Sequence, residues 1–344
     1  IQGGRIHDRK AFAAALKDIH GKVAPHRNHA IPVVFLLPPP LVFIQPFALP
    51  YLSGAALEEA VRLNLAILSP IDLRRAYVGW QMLSRDTVPQ NQIELLGAFV
   101  EREVVDAFIT MAGEAGFSVV AVEFPSLAVA RVITEMGSAI DAGTPYLILR
   151  LTVEGVEMSI IRNANLYFNE FTPWRGVEGE GKGGVLTGAD INTFLTRDVQ
   201  RILNFHMSRW GEALAHAILI TETFAPQITR LLEDSFSLKI QPLTLTLFDR
   251  LPALWYPVLG AAHRGTIPRG RDHFVSLTPT SVSEQYREEQ VLGLVRRFRN
   301  ILIALAAFFL VVYVAVDSFL ARRILTLTAS LAAQSSPREL ETIQ

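Results

Sequence analysis

Apolar positions along the chain recur in two ways, every second or every third to fourth residue, until one long unbroken run near the end. That run is Ile301 to Ala321, ILIALAAFFLVVYVAVDSFLA, uncharged from Ile301 to Val316. At ~1.5 Å rise per residue, a hydrocarbon layer ~30 Å thick needs about twenty apolar residues. Asn300 to Leu320 has that length, with only Asp317 and Ser318 interrupting it. The pattern therefore predicts a single transmembrane helix over 300–321. Arg296, Arg297, Arg299, Arg322 and Arg323 bracket it as interfacial anchors, whereas buried helices of soluble proteins rarely stay apolar all the way round. Arg287, Arg296, Arg297 and Arg299 precede the run, and Arg322, Arg323 and Arg338 follow it. The positive-inside rule then places the N-terminal part in the cytoplasm. Asp317 is expected to be hydrated at the far interface or to meet a partner helix there.

Upstream, helical spacing over Arg9 to His20 sets Phe12, Ala15, Leu16 and Ile19 on one face, with Asp8 as cap and Gly21 as stop. Ile31 to Leu37 reads as an apolar strand that Pro38 to Pro40 end, and Leu41 to Leu49 resumes extended chain. Gly54 to Leu68 carries a stripe of Leu57, Val61, Leu65 and Leu68. Strands follow at Tyr77 to Leu83 and Ile93 to Val100, a helix at Glu101 to Ala115, a strand at Phe117 to Glu123, and a helix from Pro125 to about Met136. Such alternation predicts an α/β lobe over residues 1–145, a sheet covered by helices. A second lobe, 146–265, opens with three short strands, Tyr146 to Leu151, Glu157 to Arg162 and Leu166 to Phe171, in antiparallel succession around a turn at Asn163 to Asn165. Its remaining expected elements are a helix at Thr187 to Ser208, a strand at Ala217 to Thr221, a helix at Pro226 to Phe236 and a strand at Lys239 to Leu243. Residues 266–299 are left as a linker, and 322–344 as the start of an extracytoplasmic helix. There Ile324, Leu327 and Leu331 extend a stripe to about Ser335, and Pro337 stops it.

Composition narrows the chemistry. The 344 residues are 50% hydrophobic, enough for two cored lobes, and the net charge of −1 gives no positive surface for nucleic acid. With no cysteine, disulfides, thiolate nucleophiles and cysteine metal sites are excluded. His20, His26 and His29 lie close in sequence, but their spacing does not set two ligands on one helix face, so no metal is expected. Residues 176–188, GVEGEGKGGVLTG, carry Lys182 among glycines. In a phosphate loop the lysine follows the last glycine and precedes Ser or Thr, so this stretch reads as a surface loop.

Several strings, in order, resemble the actin-like assembly proteins of type IV pili and type II secretion, the PilM and GspL families. They are GGRIHDRKAFAAAL, VVFLLPPPLVFIQPFALP, ALEEAVRLNLAILSPIDLRRAYVGWQML, AFVEREVVDAFITMAGEAGFSVVAVEFPSLAVAR, IIRNANLYFNEF, DVQRILNFH and IQPL, covering roughly residues 3–245. The resemblance implies an actin-like (ribonuclease-H-like) α/β fold of two lobes with a cleft between them, followed here by one transmembrane helix. It also implies a first strand pair, with the first phosphate loop, upstream of Ile1. Phe274 to Glu289, FVSLTPTSVSEQYREE, looks like the start of PilN, whose apolar-Pro segment PilM reads. Phe274, Val275, Leu277 and Pro279 are therefore expected to dock onto a lobe, either this chain's own or a neighbour's. A last edge strand of the second lobe is the other reading of that string.

The same resemblance bears on nucleotide use. Nucleotide-binding relatives open the second lobe with an acidic residue and a Gly-Thr-rich turn; here LILRLTVEGVEMSII places Arg150 and Thr152 at those positions, with the acids Glu154 and Glu157 nearby. The later Gly-Gly turn on the adenosine side reads Ile220, Thr221, Glu222 and Thr223. Lost close backbone approach is not repaired by one arginine. The resemblance thus implies a degenerate cleft without cofactor, metal or catalytic residues. The implied role is a non-enzymatic inner-membrane scaffold, single-pass with its N-terminal part cytoplasmic, a homo-oligomer that links an assembly ATPase to other platform proteins. An ATP-binding actin-like switch or phosphotransferase is the alternative.

Overall fold

The computed structural model describes residues 3–23, 30–84, 92–138, 140–174, 187–246, 248 and 251–334. It divides into a body, Ile1–Ser283, and a second unit, Glu284–Gln344. His26, His29, Pro337 and most of the glycine-rich loop, Lys182 included, lie outside the described residues. Among the described residues no group of three His, Asp or Glu could hold a metal ion.

The first lobe is built from α1 (Arg9–Val23), β1 (Ile31–Leu36), β2 (Val42–Pro50), α2 (Gly54–Leu68), β3 (Ala76–Ser84), β4 (Gln92–Glu101), α3 (Arg102–Glu114), β5 (Phe117–Glu123), α4 (Pro125–Met136) and a two-residue strand β6 (Gly137–Ser138). β2, β4 and β3 form an antiparallel sheet with β4 in the centre. Leu57, Val61 and Leu65 of α2 pack with Phe47, Leu49, Ile93, Leu95 and Phe99 in its own small core. β1 and β5 pair in parallel, which accounts for their near-continuous apolar runs. Proline at N1 starts α4, whose residues Pro125 to Ile133 are all buried.

The second lobe holds β7 (Tyr146–Leu151), β8 (Gly155–Arg162), β9 (Asn165–Pro173), α5 (Gly188–Trp210), β10 (His216–Ile220), α6 (Ala225–Phe236) and β11 (Lys239–Ile240). Its sheet order is β11-β10-β7-β8-β9. β7, β8 and β9 are an antiparallel meander, while β10 and β11 join parallel to β7 through helical crossovers. That connectivity is the ribonuclease-H-like sheet. Side chains alternate across it, so Leu147 and Leu149 meet α5 and α6, while Tyr146 and Ile148 enter the core shared with the first lobe. Thr187 and Asp190 close a capping box at the start of α5, and Gly211, at φ +71°, ends it.

Some elements differ from the sequence expectation. The strand expected to run to Leu243 stops at Ile240, two residues before Pro242. Instead β12 (Thr244–Leu245) pairs with β6. A helix absent from the sequence reading, α7 (Tyr256–Thr266), packs on α4 and β1. Its Gly260 is obligatory at that contact, because a Cβ there would lie 2.1 Å from the carbonyl oxygen of Ala128. A last helix, α8, begins at Thr280, at the end of the body, and runs to Gln334, making up the described part of the second unit. Its stretch Ile301–Leu331, whose most apolar part has a mean hydropathy of 2.5, is long and apolar enough to cross a membrane.

Candidate functional site

Between α7 and α8 the chain returns in extended form along β5. The peptide N–H of Leu277 donates to the carbonyl of Val122 at 2.8 Å. Glu123 is bonded on the β1 side, by the N–H of Leu37, so Val122 faces the opposite edge, and residues 275–277, extended but not a strand of the sheet, lie against it. The N–H of Val122 donates to Ser276 Oγ at 3.3 Å, and that of Val275 to Gln81 Oε1 at 3.0 Å. β3 admits the segment through Gly79, where a Cβ would lie 2.8 Å from the carbonyl oxygen of Ser276. Val275 and Leu277 are 1% and 0% exposed, Phe274 and Pro279 half-buried.

A buried ionic cluster holds the start of this segment. The Glu123 carboxylate accepts two bonds from Arg131, at 2.8 and 3.1 Å, and one from Arg264, at 2.7 Å. Arg264 also donates to Asp272 at 2.9 Å and to the carbonyls of Phe274 and Val275 at 2.9 and 2.8 Å. Arg131 donates to the carbonyl of Gly260 at 2.7 Å and lies 4.2 Å from the centre of the Phe274 ring, a cation–π distance. Among the described side chains two carboxylates meet two guanidiniums, the pairing that a buried charge requires. None of Glu123, Arg131, Arg264, Asp272 or Gln81 is a candidate site residue in the sequence reading. A lone arginine inside the apolar run LAVARVI was the available signal.

The expected cleft positions gather elsewhere, at the ends of β7 and β10. Arg150 pairs in register with Glu157 on β8 and with Ile220 on β10. Its Nε donates to Glu157 Oε2 at 2.7 Å, and the guanidinium is 9% exposed. Thr152 ties the turn that follows β7, its Oγ1 bonded to the carbonyl of Gly155 at 3.0 Å, while Trp174 Nε1 donates to the Thr152 carbonyl at 2.8 Å. Thr221 Oγ1 donates to the carbonyl of Thr223 at 2.7 Å. Arg150, Thr152, Thr221 and Glu222 line one cavity of about 260 Å³, with Trp174 and Leu254 also in its wall. Glu154 sits on the turn, exposed and outside that lining.

No protein-family model matches the sequence, and no curated protein does. A chain of a PilM–PilN type IV pilus biogenesis complex superposes with TM-score 0.62 at 17% identity, over 78% of this chain and 88% of that one. The cytoplasmic domain of EpsL, an inner membrane component of the type II secretion system of Vibrio cholerae, gives 0.42 at 14%, over 78% and 84%. A Bacteroides thetaiotaomicron protein of actin-like ATPase fold and unknown function gives 0.38 at 8%, over 72% and 80%. The last two superpose too loosely to carry weight. The body therefore has the fold of the chain from the PilM–PilN complex, an actin-like α/β architecture of two lobes, followed in this protein by one helix apolar enough for a membrane.

Proposed function

We propose that this protein is a non-enzymatic inner-membrane scaffold of a type IV pilus or type II secretion assembly platform. The observation that carries the reading is the contact of the buried Val275 and Leu277 with the body, the N–H of Leu277 donating to the Val122 carbonyl of β5, shortly ahead of the apolar helix. A body with the fold of a chain from a PilM–PilN complex here has such a segment built into it. A covalent tether replaces a two-protein contact by a high effective concentration. The body lies in the cytoplasm, α8 crosses the inner membrane once, and the assembly is a homo-oligomer that links an assembly ATPase to other platform proteins.

The cleft supports the non-enzymatic side of this reading. Arg150 is engaged by Glu157, Glu222 and Glu154 would face any polyphosphate, and the cavity is smaller than the roughly 300–1,000 Å³ of small-molecule pockets. Affinity isolation of the tagged full chain from its own membrane, with quantitative identification of what co-purifies, tests the role. An assembly ATPase and a platform neighbour are expected. Their absence, together with a reporter active only outside the cytoplasm working when fused before Arg296, overturns the proposal.

A further inference from the structure

We propose that the cavity at the ends of β7 and β10 is a docking pocket for a partner protein's segment in which one bulky apolar side chain is flanked by Lys or Arg. This rests on reading the cleft as one that holds no nucleotide. The wall is apolar and open: Phe224, Leu254 and Val153 line it while 44%, 57% and 93% exposed. Large apolar side chains clustered at a concave site, not scattered singly, mark a surface that excludes water on binding.

The conformation of Phe224 points the same way. It caps α6 at φ +58°, ψ 14°, the left-handed region, which is an outlier for a bulky side chain. Nothing in the fold repays that strain through burial, since the ring is exposed. Strain of this kind persists at binding sites, where it holds a group ready for its ligand.

Charge selects the class of ligand. Among the described residues the only cation in the lining, Arg150, is bonded to Glu157. Glu222 lines the mouth and Glu154 adjoins Val153 on the rim; among the described residues neither carboxylate has a partner. The mouth is therefore acidic over an apolar wall. It favours a basic flank beside the apolar anchor and disfavours phosphate or acidic peptides. About 260 Å³ accommodates a side chain and its backbone, below the usual range for a cofactor.

The test uses the full chain in detergent micelles and two labelled hexapeptides, Lys-Arg-Phe-Leu-Lys-Arg and its counterpart with Glu at each basic position. Fluorescence anisotropy is expected to show the basic peptide binding at least tenfold more tightly. Glu222→Lys should abolish that preference, and Leu254→Ser should weaken the basic peptide tenfold. Phe224→Gly should raise the thermal midpoint while weakening binding, an opposition that a purely structural phenylalanine would not give. Equal binding of both peptides, or full binding by Glu222→Lys and Leu254→Ser, overturns the proposal. Mg-ATP is titrated separately: a thermal shift lost in Arg150→Ala sinks the nucleotide-free reading, whereas failure of the peptide arms without any ATP shift sinks only the docking pocket.

Discussion

Arg264 donates to Glu123 at 2.7 Å with their side chains 1% and 0% exposed, joining α7 to the end of β5. The same guanidinium donates to the carbonyls of Phe274 and Val275, so one residue fixes both α7 and the extended segment that leads to α8. Glu123→Gln removes the carboxylate that Arg131 and Arg264 share and leaves Asp272 bonded to Arg264 alone. Breaking one partner of a buried pair costs about 3–5 kcal/mol. Chemical denaturation of the full chain should show a loss of that size. Amide hydrogen exchange at residues 274–278 should accelerate more than at β4; uniform acceleration would mean that the cluster serves the whole core and not the segment.

Gly260→Ala tests the contact beneath that cluster. A Cβ 2.1 Å from the Ala128 carbonyl oxygen forces α7 off α4 and disturbs the bond from Arg131 to the Gly260 carbonyl. An overpacking cost of about 1–3 kcal/mol is expected, seen as a lower urea midpoint at unchanged slope. An unchanged midpoint would show that the helices separate freely.

The strands and helices of both lobes are legible because their apolar periodicities are long and their ends carry caps, prolines and glycines. The second lobe's meander, Tyr146 to Pro173, shows in the three-strand rhythm and the Asn163 turn. α7 is not legible: its sequence YPVLGAAHRGT is short and carries Gly260 and Gly265, poor helix formers, and its stability comes from close packing on α4. β6 and β12 have two residues each, too few for any period. Of the candidate sites, the apolar side chains of 274–279 stand out in sequence. Glu123, Arg131 and Asp272 do not, because a balanced buried cluster is assembled from residues far apart in the chain.

The turn between β8 and β9 offers a stabilising change. Asn163 and Ala164 have φ of +48° and +60°, the two positive angles of a type I′ hairpin turn. Asparagine tolerates this and alanine does not, by roughly 1–2 kcal/mol, of which glycine recovers part after its own entropy cost. Ala164→Gly keeps the N–H that donates to the Ala142 carbonyl, so a gain of about 0.5–1 kcal/mol and a higher melting midpoint are expected. A lower midpoint would refute strain at this position.

Acid sensitivity should trace in part to His206. The side chain is 0% exposed; burial, the larger cause, lowers its pKa, and the bond to the Glu212 carbonyl only partly opposes this. That bond, 3.0 Å from Nδ1, sets the proton on Nδ1, while Nε2 has no partner among the described residues. Because the folded pKa lies below the unfolded value of about 6.5, the unfolded chain takes up the proton first as pH falls. Stability should therefore be full above about pH 6.5 and decline below it. His206→Gln should flatten that decline between pH 7 and 5; an unaltered slope would assign it to other groups.

Residues 274–277 give the sharpest test of how the body is joined to its helix. Val275 and Leu277 are fully buried and belong to the core that the two lobes share, whereas the half-buried Phe274 lies under Arg131. The second lobe's sheet does not include the string, so a mutation here probes the β5 edge. Leu277→Ala removes a side chain at 0% exposure, for which about 2–5 kcal/mol is usual. If the segment is a docked tether, the loss is local: it is capped by the free energy of peeling the strand away, since the lobes can persist without it. The double variant Phe274→Ser with Leu277→Ser should then expose residues 270–290 to protease and weaken platform assembly while the thermal transition of the lobes survives. Should the whole body melt instead, the string is an integral strand of the first lobe and the scaffold is joined to its helix without a separable dock.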